Sequence, residues 1–553
     1  MMESARDHIL KLLEETTGEK DLQIEVPPTA YLGDFAFPSF QLAKDKKKRP
    51  ADIAEELSKL ILPDEVIESV SSNGPYVNFF LQRTTVMRRT IKEILEKKES
   101  FASKKKTRHA LVEHTSINPN ASPHVGRARN ALIGDAIVRM LRHLGFETEV
   151  HYFVNDIGKQ IAMLVLAAGH KNPSFDELLE LYIKINKDVE ENPEKEKLVF
   201  ELLSQLEADD KEVLQRFRKV VKTCIDGQAR ILGDLGITYD TYDYESDLLF
   251  DGNTKEIIAK LEKTGKLFTD EENRQVLNQE GYQLAMKAPV LVLTRNDGTS
   301  LYPLRDIAYN IKKAALAKDR NIIILGEDQK LYQQQINAAL SLIGINEPEV
   351  VHYSFVLLKE GKMSTRKGNV VLLADLMKEV EENAMKEIVE KQKAKPSKQL
   401  ARMIGYGALK YGILKISPEK NVTFDTETAL SFEGETGPYI QYAHARICSI
   451  LEKAASQDEG DCSLLTNDKE WALIKMLGNF PHTIEEAARQ MRPHILANYL
   501  FELSQRFSEF YQECPVLQVE GPLKNARLQV ISATKTVLAL GLSLLGIDAP
   551  ERM

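Results

Sequence analysis

The chain has 553 residues, which at roughly 150 residues per domain predicts three or four domains rather than one. Its composition, with 43% hydrophobic and 28% charged residues, is ordinary for a globular protein, and its net charge of −9 neither supports nor excludes a nucleic-acid partner, because a local basic face suffices. The four cysteines, Cys224, Cys448, Cys462 and Cys514, are scattered without a C-x-x-C pair, which argues against a zinc knuckle or a disulfide framework and predicts no structural metal.

Residues 1–103 are predicted to form a first domain of mixed helix and strand. The opening segment MMESARDHILKLLEE is typical of an amphipathic helix with Ile9 and Leu13 on its apolar side, not of a signal peptide. Pro50 begins a second helix, and SNGPYVNFFL has the pattern of a strand. No apolar run approaches the ~18 residues of a membrane span. We therefore expect a cytoplasmic protein without a membrane partner. A basic connector near residue 100, either a solvated linker or a phosphate contact, marks the boundary.

Strand–helix alternation predicts a doubly wound parallel sheet over residues 104–400. HALVEH and TEVHYFV are strands on either side of the helix RARNALIGDAIVRMLRHLG, which makes one βαβ unit. A charged segment from about 160 to 290 predicts a helical insertion. The alternation then resumes with a helix from Asp306, the strand NIIIL, another helix and the strand VVHYSFVLL. Over residues 401–553 strand signals vanish and amphipathic segments predict a helix bundle.

The first candidate functional segment is ASPHVGRARN at residues 121–130, between the first strand of the sheet and its helix. Phosphates bind at such strand-to-helix turns, where backbone N–H groups and the helix dipole face them. Gly126 lets the backbone approach a nucleotide base, and His124 places a donor imidazole at the helix N-terminus. Taken alone, H-x-G is a weak signal, and a capping loop with an incidental histidine is the favoured interpretation.

The second candidate segment is GKMSTRKGN at residues 361–369, after the last strand of the sheet. Lys362, Arg366 and Lys367 flank Ser364 on a loop bounded by glycines, and three cations in six residues suit a clamp on a pyrophosphate leaving group. A basic surface loop is the alternative. The order of the two segments, and their separation of about 240 residues, make the pair far more specific than either segment.

Together the two segments resemble the signatures of class I aminoacyl-tRNA synthetases, H-I-G-H and K-M-S-K-S, which stand here as H-V-G-R and K-M-S-T-R. EHTSINPNASPHVGR, YFVNDIGKQIAML, TSLYPLRDIAY, FEGETGPYIQYAHAR and the ending LGIDAPERM resemble the arginyl-tRNA synthetases in particular, and GDFAFPSFQLAK and GPYVNFFL resemble the extra N-terminal domain of that family. The resemblance touches every part of the chain. It implies an α/β fold: a Rossmann-like catalytic domain with a helical insertion, an α+β N-terminal tRNA-binding domain and an all-α anticodon-binding bundle.

The activity that the resemblance implies is arginine–tRNA ligation for protein synthesis. L-arginine would react with ATP, which brings Mg²⁺, to give arginyl-adenylate, and the arginyl group would pass to the 3′ end of tRNA(Arg). The family needs bound tRNA before arginine activation, and we expect a monomer. The carried-over catalytic residues are His124, Arg127, Lys362, Arg366 and Lys367. The carried-over ATP-binding residues are His124, Gly126, Arg127, Lys362, Met363 and Ser364.

The resemblance also places an arginine pocket at Glu113, Asn118, Tyr302 and Asp306. The chemistry agrees, because a guanidinium is always cationic, rewards carboxylate acceptors and stacks on aromatic rings. Taken alone, Asp306 could instead be a helix N-cap and Glu113 part of a surface ion pair. Gln329, or a residue one or two positions from it, is expected near the substrate. Asp156 and Gln160 either line the pocket or form a structural turn.

For tRNA, the resemblance places Tyr439, Tyr442 and Met553 against anticodon bases, where aromatic rings stack on splayed single-stranded bases. Packing inside the helix bundle is the alternative for each of them. The N-terminal domain would contact the elbow of the tRNA.

Three departures from the family pattern concern the signatures and the C-terminal domain. Arg127 replaces the second histidine, and Thr365 replaces the second lysine without a compensating lysine before the first signature. KNARLQV keeps Arg527 but lacks the acidic start of the family's C-terminal segment. Arg127 keeps open a catalytically silent tRNA-binding paralogue. A cysteine enzyme would need a zinc site and a glutamate enzyme a basic pocket, whereas a generic nucleotidyltransferase would leave both tRNA-binding domains unexplained.

Overall fold

The structure is a computed structural model, and it describes residues 2–120, 122–250, 253–358, 371–392, 397–454 and 460–553. Residues up to about 100 pack helices against a three-stranded antiparallel sheet of order β1-β3-β2. The segment predicted as one strand is a hairpin, because Gly74 at φ +58 allows the chain to turn between β2 and β3. The elements are α1 (Met2–Thr17), β1 (Phe35–Pro38), α2 (Phe40–Lys46), α3 (Pro50–Leu60), β2 (Ile67–Asn73), β3 (Tyr76–Leu81) and α4 (Arg83–Lys97).

The centre of the chain holds a five-stranded, all-parallel sheet of order β11-β10-β4-β5-β6, which confirms the doubly wound class. Its first elements are β4 (Arg108–Glu113), α5 (Val125–His143) and β5 (Phe146–Val154), followed by the helices α6 (Lys159–Ala168), α7 (Phe175–Glu191), α8 (Pro193–Glu207) and α9 (Lys211–Asp234). Fourteen residues of α5 are buried, so this helix forms a large part of the core that packs against the sheet.

The helical insertion predicted from about 160 to 290 is wrong in its second half. After α9 the chain returns to the main sheet as β6 (Thr241–Tyr244), which pairs in parallel with β5. A small antiparallel sheet of order β7-β8-β9 follows. The intervening and following elements are α10 (Asp247–Phe250), α11 (Asn253–Glu262), β7 (Leu267–Thr269), β8 (Gln275–Asn278) and β9 (Val290–Val292). These strands are only three or four residues long, too short for the alternation of apolar residues to reveal them.

The second half of the main sheet begins with α12, which starts at Tyr302 rather than at Asp306 and has Pro303 in its first turn. Its elements are α12 (Tyr302–Ala317), β10 (Arg320–Gly326), α13 (Lys330–Leu342), β11 (Glu349–Tyr353) and β12 (Val356–Leu358). Because β10 pairs with β4, the two halves of the sheet meet at these strands. A crevice outside the carboxyl ends of β4 and β10 is the usual ligand position of such a sheet.

The described residues of the C-terminal part are helical apart from one short strand, β13, which pairs in parallel with β12 and is not predicted by the sequence after residue 400. Its elements are α14 (Leu373–Gln392), α15 (Lys398–Leu414), β13 (Val422–Phe424), α16 (Thr426–Leu430), α17 (Gly437–Lys453), α18 (Asp468–Gly478), α19 (Phe480–Gln490), α20 (Pro493–Glu513) and α21 (Gly521–Leu544). Among the described helices, none is both long and apolar enough to cross a bilayer.

Candidate active site

A cavity of about 400 Å³ opens where β4 and β10 end, and it is called the switch-point cavity below. One stripe of α12 forms its wall, because Tyr302, Asp306, Tyr309 and Lys313 recur at intervals of four, three and four residues and so face the same side of the helix. The other described residues that line it include Glu113, Thr115, Ser116, Asn118, Arg127, Asn130, Phe153, Asn155, Glu245, Asn310, Asp328, Gln329, Tyr332 and Gln333.

Glu113, the last residue of β4, forms a buried ion pair with Lys313 across the cavity wall. The Lys313 ammonium group donates to the Glu113 carboxylate, and the side chains are 1% and 7% exposed respectively. The Lys313 Nζ also lies 4.6 Å from the centroid of the Tyr309 ring. The surface ion pair considered for Glu113 is therefore wrong, because its partner comes from a helix packed on the sheet rather than from solvent-exposed neighbours.

Asp306 lies one turn inside α12, so it is not the N-cap, a position that Leu301 occupies. Part of its surface is exposed to the cavity, and the Tyr332 hydroxyl donates a hydrogen bond to its carboxylate. Among the described residues it forms no salt bridge. Burial raises the pKa of Asp306 to about 7, and the nearby charges of Glu245 and Glu113 add to the increase. A carboxyl group without a cationic partner is suited to receive one from a ligand.

Glu245 is a third carboxylate of the cavity, and the sequence alone did not identify it. It follows β6 directly, is 3% exposed and accepts a hydrogen bond of 2.7 Å from Arg305 Nε. Burial raises the pKa of Glu245, while Arg305 lowers it. The alternating segment TYDY that precedes it is a weak strand signal, and a strand there would have placed Glu245 at the same sheet edge as Glu113.

Asn118, Tyr302 and Gln329 also line the cavity, as expected from the resemblance. Tyr302 is 55% exposed, and its ring lies 5.3 Å from that of Tyr332, so two aromatic rings stand beside Asp306. Such rings can stack on a planar cation.

Asp156 and Gln160, by contrast, do not line the switch-point cavity. The Asp156 carboxylate is buried and accepts hydrogen bonds from the backbone N–H of Ser246 at 2.8 Å and from its hydroxyl at 2.6 Å. The Gln160 side-chain oxygen accepts from Asn120 at 2.8 Å. Both therefore hold loops beside the cavity together, in keeping with the structural alternative.

His124, a residue predicted to contact ATP, is the N-cap residue of α5, and Gly126 lies in the first turn of that helix. Burial lowers the pKa of His124 to about 4, with a further contribution from Arg127, so its ring is neutral at physiological pH. Its Nδ1 is buried, and none of the described groups forms a hydrogen bond with it. Arg127 lines the switch-point cavity.

The residues predicted in the second signature, Lys362, Met363, Ser364, Arg366 and Lys367, lie outside the described residues. The chain directly after them is hydrogen-bonded to the first signature. Val125 N–H donates to the Val371 carbonyl at 3.2 Å, and Leu373 N–H donates to the Pro123 carbonyl at 2.8 Å. Residues 371–373, which follow the second signature in the chain, are therefore neighbours of the first signature in space although they lie far from it in sequence.

The three residues predicted to contact anticodon bases differ in exposure. Tyr439 is half-buried, with its ring 5.5 Å from that of Phe501. Tyr442, on the same helix, is 45% exposed. Met553 packs on a small apolar cluster that contains Ile404 and Leu430. Tyr442 is thus the most accessible of the three aromatic and apolar side chains, whereas the other two also stabilise the bundle.

Comparison with known proteins agrees with this geometry. Residues 90–426 match the family of class I (R) tRNA synthetase catalytic domains, residues 3–81 match the arginyl-tRNA synthetase N-terminal domain, and residues 440–553 match the DALR anticodon-binding domain. The chain is therefore built as a class I aminoacyl-tRNA synthetase.

Two curated relatives narrow this class. The arginine–tRNA ligase of Methanocella arvoryzae is 40% identical over 93% of this chain and 92% of its own, and that of Methanocaldococcus jannaschii is 39% identical over 98% and 97%. The solved arginyl-tRNA synthetase of Thermus thermophilus superposes with a TM-score of 0.87 at 30% identity and covers all of both chains. The chain belongs to the arginine–tRNA ligase family.

Proposed function

We propose that this chain joins L-arginine to tRNA(Arg) through arginyl-adenylate, with arginine in the switch-point cavity and ATP beside His124. The arginine–tRNA ligase activity is that of its family. The observation that carries the placement of arginine is Asp306, a carboxyl group that faces the cavity without a cationic partner among the described residues, between Tyr302 and Tyr332.

Recognition of arginine follows from its permanent charge. The guanidinium would lie against Asp306, which accepts its N–H groups, and against the rings of Tyr302 and Tyr332. The amide side chains of Asn118 and Gln329 would bind the amino and carboxylate groups of the amino acid. A side chain without a positive charge would give Asp306 no cation to pair with, so the free energy gained from that pairing would be lost, which gives selectivity.

The first step is attack of an arginine carboxylate oxygen on the α-phosphate of ATP. The bond from this phosphorus to the bridging oxygen breaks, so that arginyl-adenylate forms and pyrophosphate leaves. Because the His124 ring is neutral, it would act as a hydrogen-bond donor to the phosphate and not as a fixed charge. Arg127 would add positive charge. Lys362, Arg366 and Lys367 would hold the leaving pyrophosphate, with Met363, Ser364 and Gly126 lining the ATP site, and Mg²⁺ would enter as part of the ATP complex.

In the second step a hydroxyl of the terminal ribose of the tRNA attacks the arginyl carbonyl carbon and loses its proton, so that an ester forms. The bond from this carbon to the phosphate oxygen of the mixed anhydride breaks, and AMP leaves with its electrons. We assign residues 1–103 and 401–553 to tRNA binding, on either side of a catalytic domain at residues 104–400. Tyr442 would stack on an anticodon base, with Tyr439 and Met553 beside it. We also propose that the enzyme acts as a monomer in the cytoplasm. A dimer measured by light scattering would contradict the monomeric state.

Pyrophosphate exchange measured with each amino acid, in the presence and absence of tRNA, tests the proposal. The expected result is that arginine is the one amino acid that supports exchange, and that it does so only when tRNA is present. Absence of exchange under every condition would indicate a silent tRNA-binding paralogue. Exchange that needs neither arginine nor tRNA would indicate a generic nucleotidyltransferase.

A further inference from the structure

The switch-point cavity contains more carboxylates than one guanidinium can neutralise. Glu113 comes from the end of β4, Glu245 from the turn after β6 and Asp306 from α12. Their mutual influence is direct, because the charges of Glu245 and Glu113 both raise the pKa of Asp306. Three unpaired carboxylates would strongly destabilise the cavity before arginine binds.

Two cations of α12 balance two of these carboxylates. Arg305 is bonded to Glu245 and Lys313 to Glu113, and all four side chains are at least nine-tenths buried. Three carboxylates and two cations leave one negative charge, which belongs to Asp306. At the mouth of the cavity Arg127 and the exposed Asp328 add one charge of each sign and leave this balance unchanged.

We propose that Lys313 is a specificity-determining positioning residue, which cancels the charge of Glu113 so that the cavity presents one uncompensated carboxylate to one guanidinium. This inference rests on the proposed binding of arginine in the switch-point cavity. Lys313 does not touch arginine in this scheme. It acts through Glu113, and it determines how readily Asp306 ionises when the substrate enters.

The consequence is a link between arginine binding and the release of a proton. Asp306 faces the carboxylates of Glu113 and Glu245 across the cavity, the Tyr332 hydroxyl from α13 and Arg305 on its own helix. Guanidinium binding needs the ionised form of Asp306. Arginine affinity therefore falls about tenfold for each pH unit below the titration of Asp306.

A second charged cluster lies behind Tyr309, whose hydroxyl donates to Asp243 at 2.9 Å. His151 and Lys312 also bind Asp243, and His151 is 1% exposed. This cluster is the same in all the variants below, so any contribution that it makes to the pH profile is common to them.

The test uses equilibrium binding of L-arginine to the full-length protein with tRNA(Arg), from about pH 5.5 to 8.5, the range that spans the titration of Asp306. Lys313→Met leaves Glu113 unpaired, so the midpoint of the pH profile should rise by about one pH unit. Glu113→Gln leaves Lys313 unpaired, so the midpoint should fall by a similar amount. The double variant restores the balance and should return to the wild-type midpoint, and Lys313→Arg, which keeps the charge, should not move it.

Opposite shifts that cancel in the double variant cannot come from a loss of packing, which would weaken binding in both single variants without a change of sign. Equal midpoints in all variants, or two shifts in the same direction, would overturn the inference. If thermal denaturation shows that Lys313→Met does not fold, the comparison of Glu113→Gln with the double variant gives the same decision. Wild-type protein that binds no arginine at any pH would instead refute the proposed function.

Discussion

Two buried ion pairs in this molecule have the same chemistry and different surroundings. Glu113 and Lys313 meet at the edge of the parallel sheet, and Glu470 and Arg527 meet inside the C-terminal helix bundle, where Arg527 Nε lies 2.7 Å from Glu470 Oε1. In the second pair Arg527 is 12% exposed, and Glu470 is 0% exposed and also caps α18 through a hydrogen bond from the Asn467 N–H.

The difference between the two pairs shows what marks a binding site. Burial and pairing are common to both, so neither identifies the cavity. What distinguishes the sheet edge is a further carboxylate, Asp306, for which the described chain supplies a tyrosine hydroxyl and no cation. In the bundle every charge of the pair is satisfied by protein, so we expect changes there to affect folding and changes at Asp306 to affect substrate.

The largest effect should come from Asp306→Asn. Loss of the carboxylate proposed to bind the guanidinium should lower kcat/KM for arginine about a thousandfold, with ATP binding nearly unchanged. Asp328→Asn at the exposed mouth of the same cavity is the matched control, with an expected change below about threefold. Equal losses of arginine and ATP affinity would remove Asp306 from the amino-acid pocket.

The same variant should also respond to pH in a defined direction. Because the folded pKa of Asp306 is raised to about 7, its contribution to stability is present at low pH and is lost as pH rises from about 4 to 7. Asp306→Asn should therefore be more stable than the wild type at pH 8, by up to about 4 kcal/mol because each unit of pKa shift is worth about 1.4 kcal/mol, and the difference should shrink towards pH 4. Denaturant unfolding at the two pH values measures it, and a less stable variant at pH 8 would contradict the assignment.

The next effect should come from Arg527→Met in the bundle. It leaves Glu470 buried and uncompensated, so the free energy of unfolding should fall by about 3 kcal/mol, while arginine affinity stays the same. Arg489→Met is the control. It removes a solvent-accessible ion pair with Glu486 within α19, and it should change the free energy of unfolding by less than about 0.5 kcal/mol. If folded Arg527→Met bound arginine more weakly than the wild type, the expectation that changes in the bundle affect only folding would be wrong.

Sequence reasoning found the parts of this comparison that depend on local pattern. The β4–α5–β5 unit, the helix bundle, Glu113 at a strand end and Asp306 on a helix all follow from spacing and from the family resemblance. The expectation that Asp306 begins its helix overlooks Pro303, which indicates a start at Tyr302. The structure places Asp306 one turn inside the helix instead of at its start, and the side chain still lines the cavity.

The parts that sequence reasoning missed depend on pairs of distant residues. Lys313 lies 200 positions from Glu113, and Arg305 lies 60 positions from Glu245, so no local pattern joins them. The spacing of Tyr302, Asp306 and Lys313 on one helix face could have suggested Lys313, but its charge opposes the simple expectation of an acidic pocket. Asp156 shows the converse, since this conspicuous carboxylate is buried, accepts hydrogen bonds from Ser246 and pairs with Arg218.

A smaller effect is expected from His124→Ala at the proposed ATP site. Loss of a neutral donor to the phosphate should lower the rate of adenylate formation about a hundredfold, with little change in arginine affinity. Because the pKa of His124 is about 4, the ring stays neutral above pH 5. The pH profiles of the wild type and of His124→Ala should therefore have the same shape above pH 5. His170→Ala, in an exposed loop, serves as the control. A variant that loses arginine binding as well would place His124 in the amino-acid half of the site.

The smallest effect is expected at the exposed face of the bundle, where Tyr442 and Tyr439 allow a test within one helix. Stacking of one base on Tyr442 is worth about 1–3 kcal/mol, so Tyr442→Ala should raise KM for tRNA about tenfold without lowering the melting temperature. Tyr439→Ala should lower the melting temperature as well, because the ring packs on Phe501 and its hydroxyl lies 3.4 Å from the Ser508 hydroxyl. Pyrophosphate exchange at saturating tRNA should be unchanged in Tyr442→Ala. If Tyr442→Ala instead destabilised the fold and left KM for tRNA unchanged, this face of the bundle would be packing surface, like the pair formed by Glu470 and Arg527.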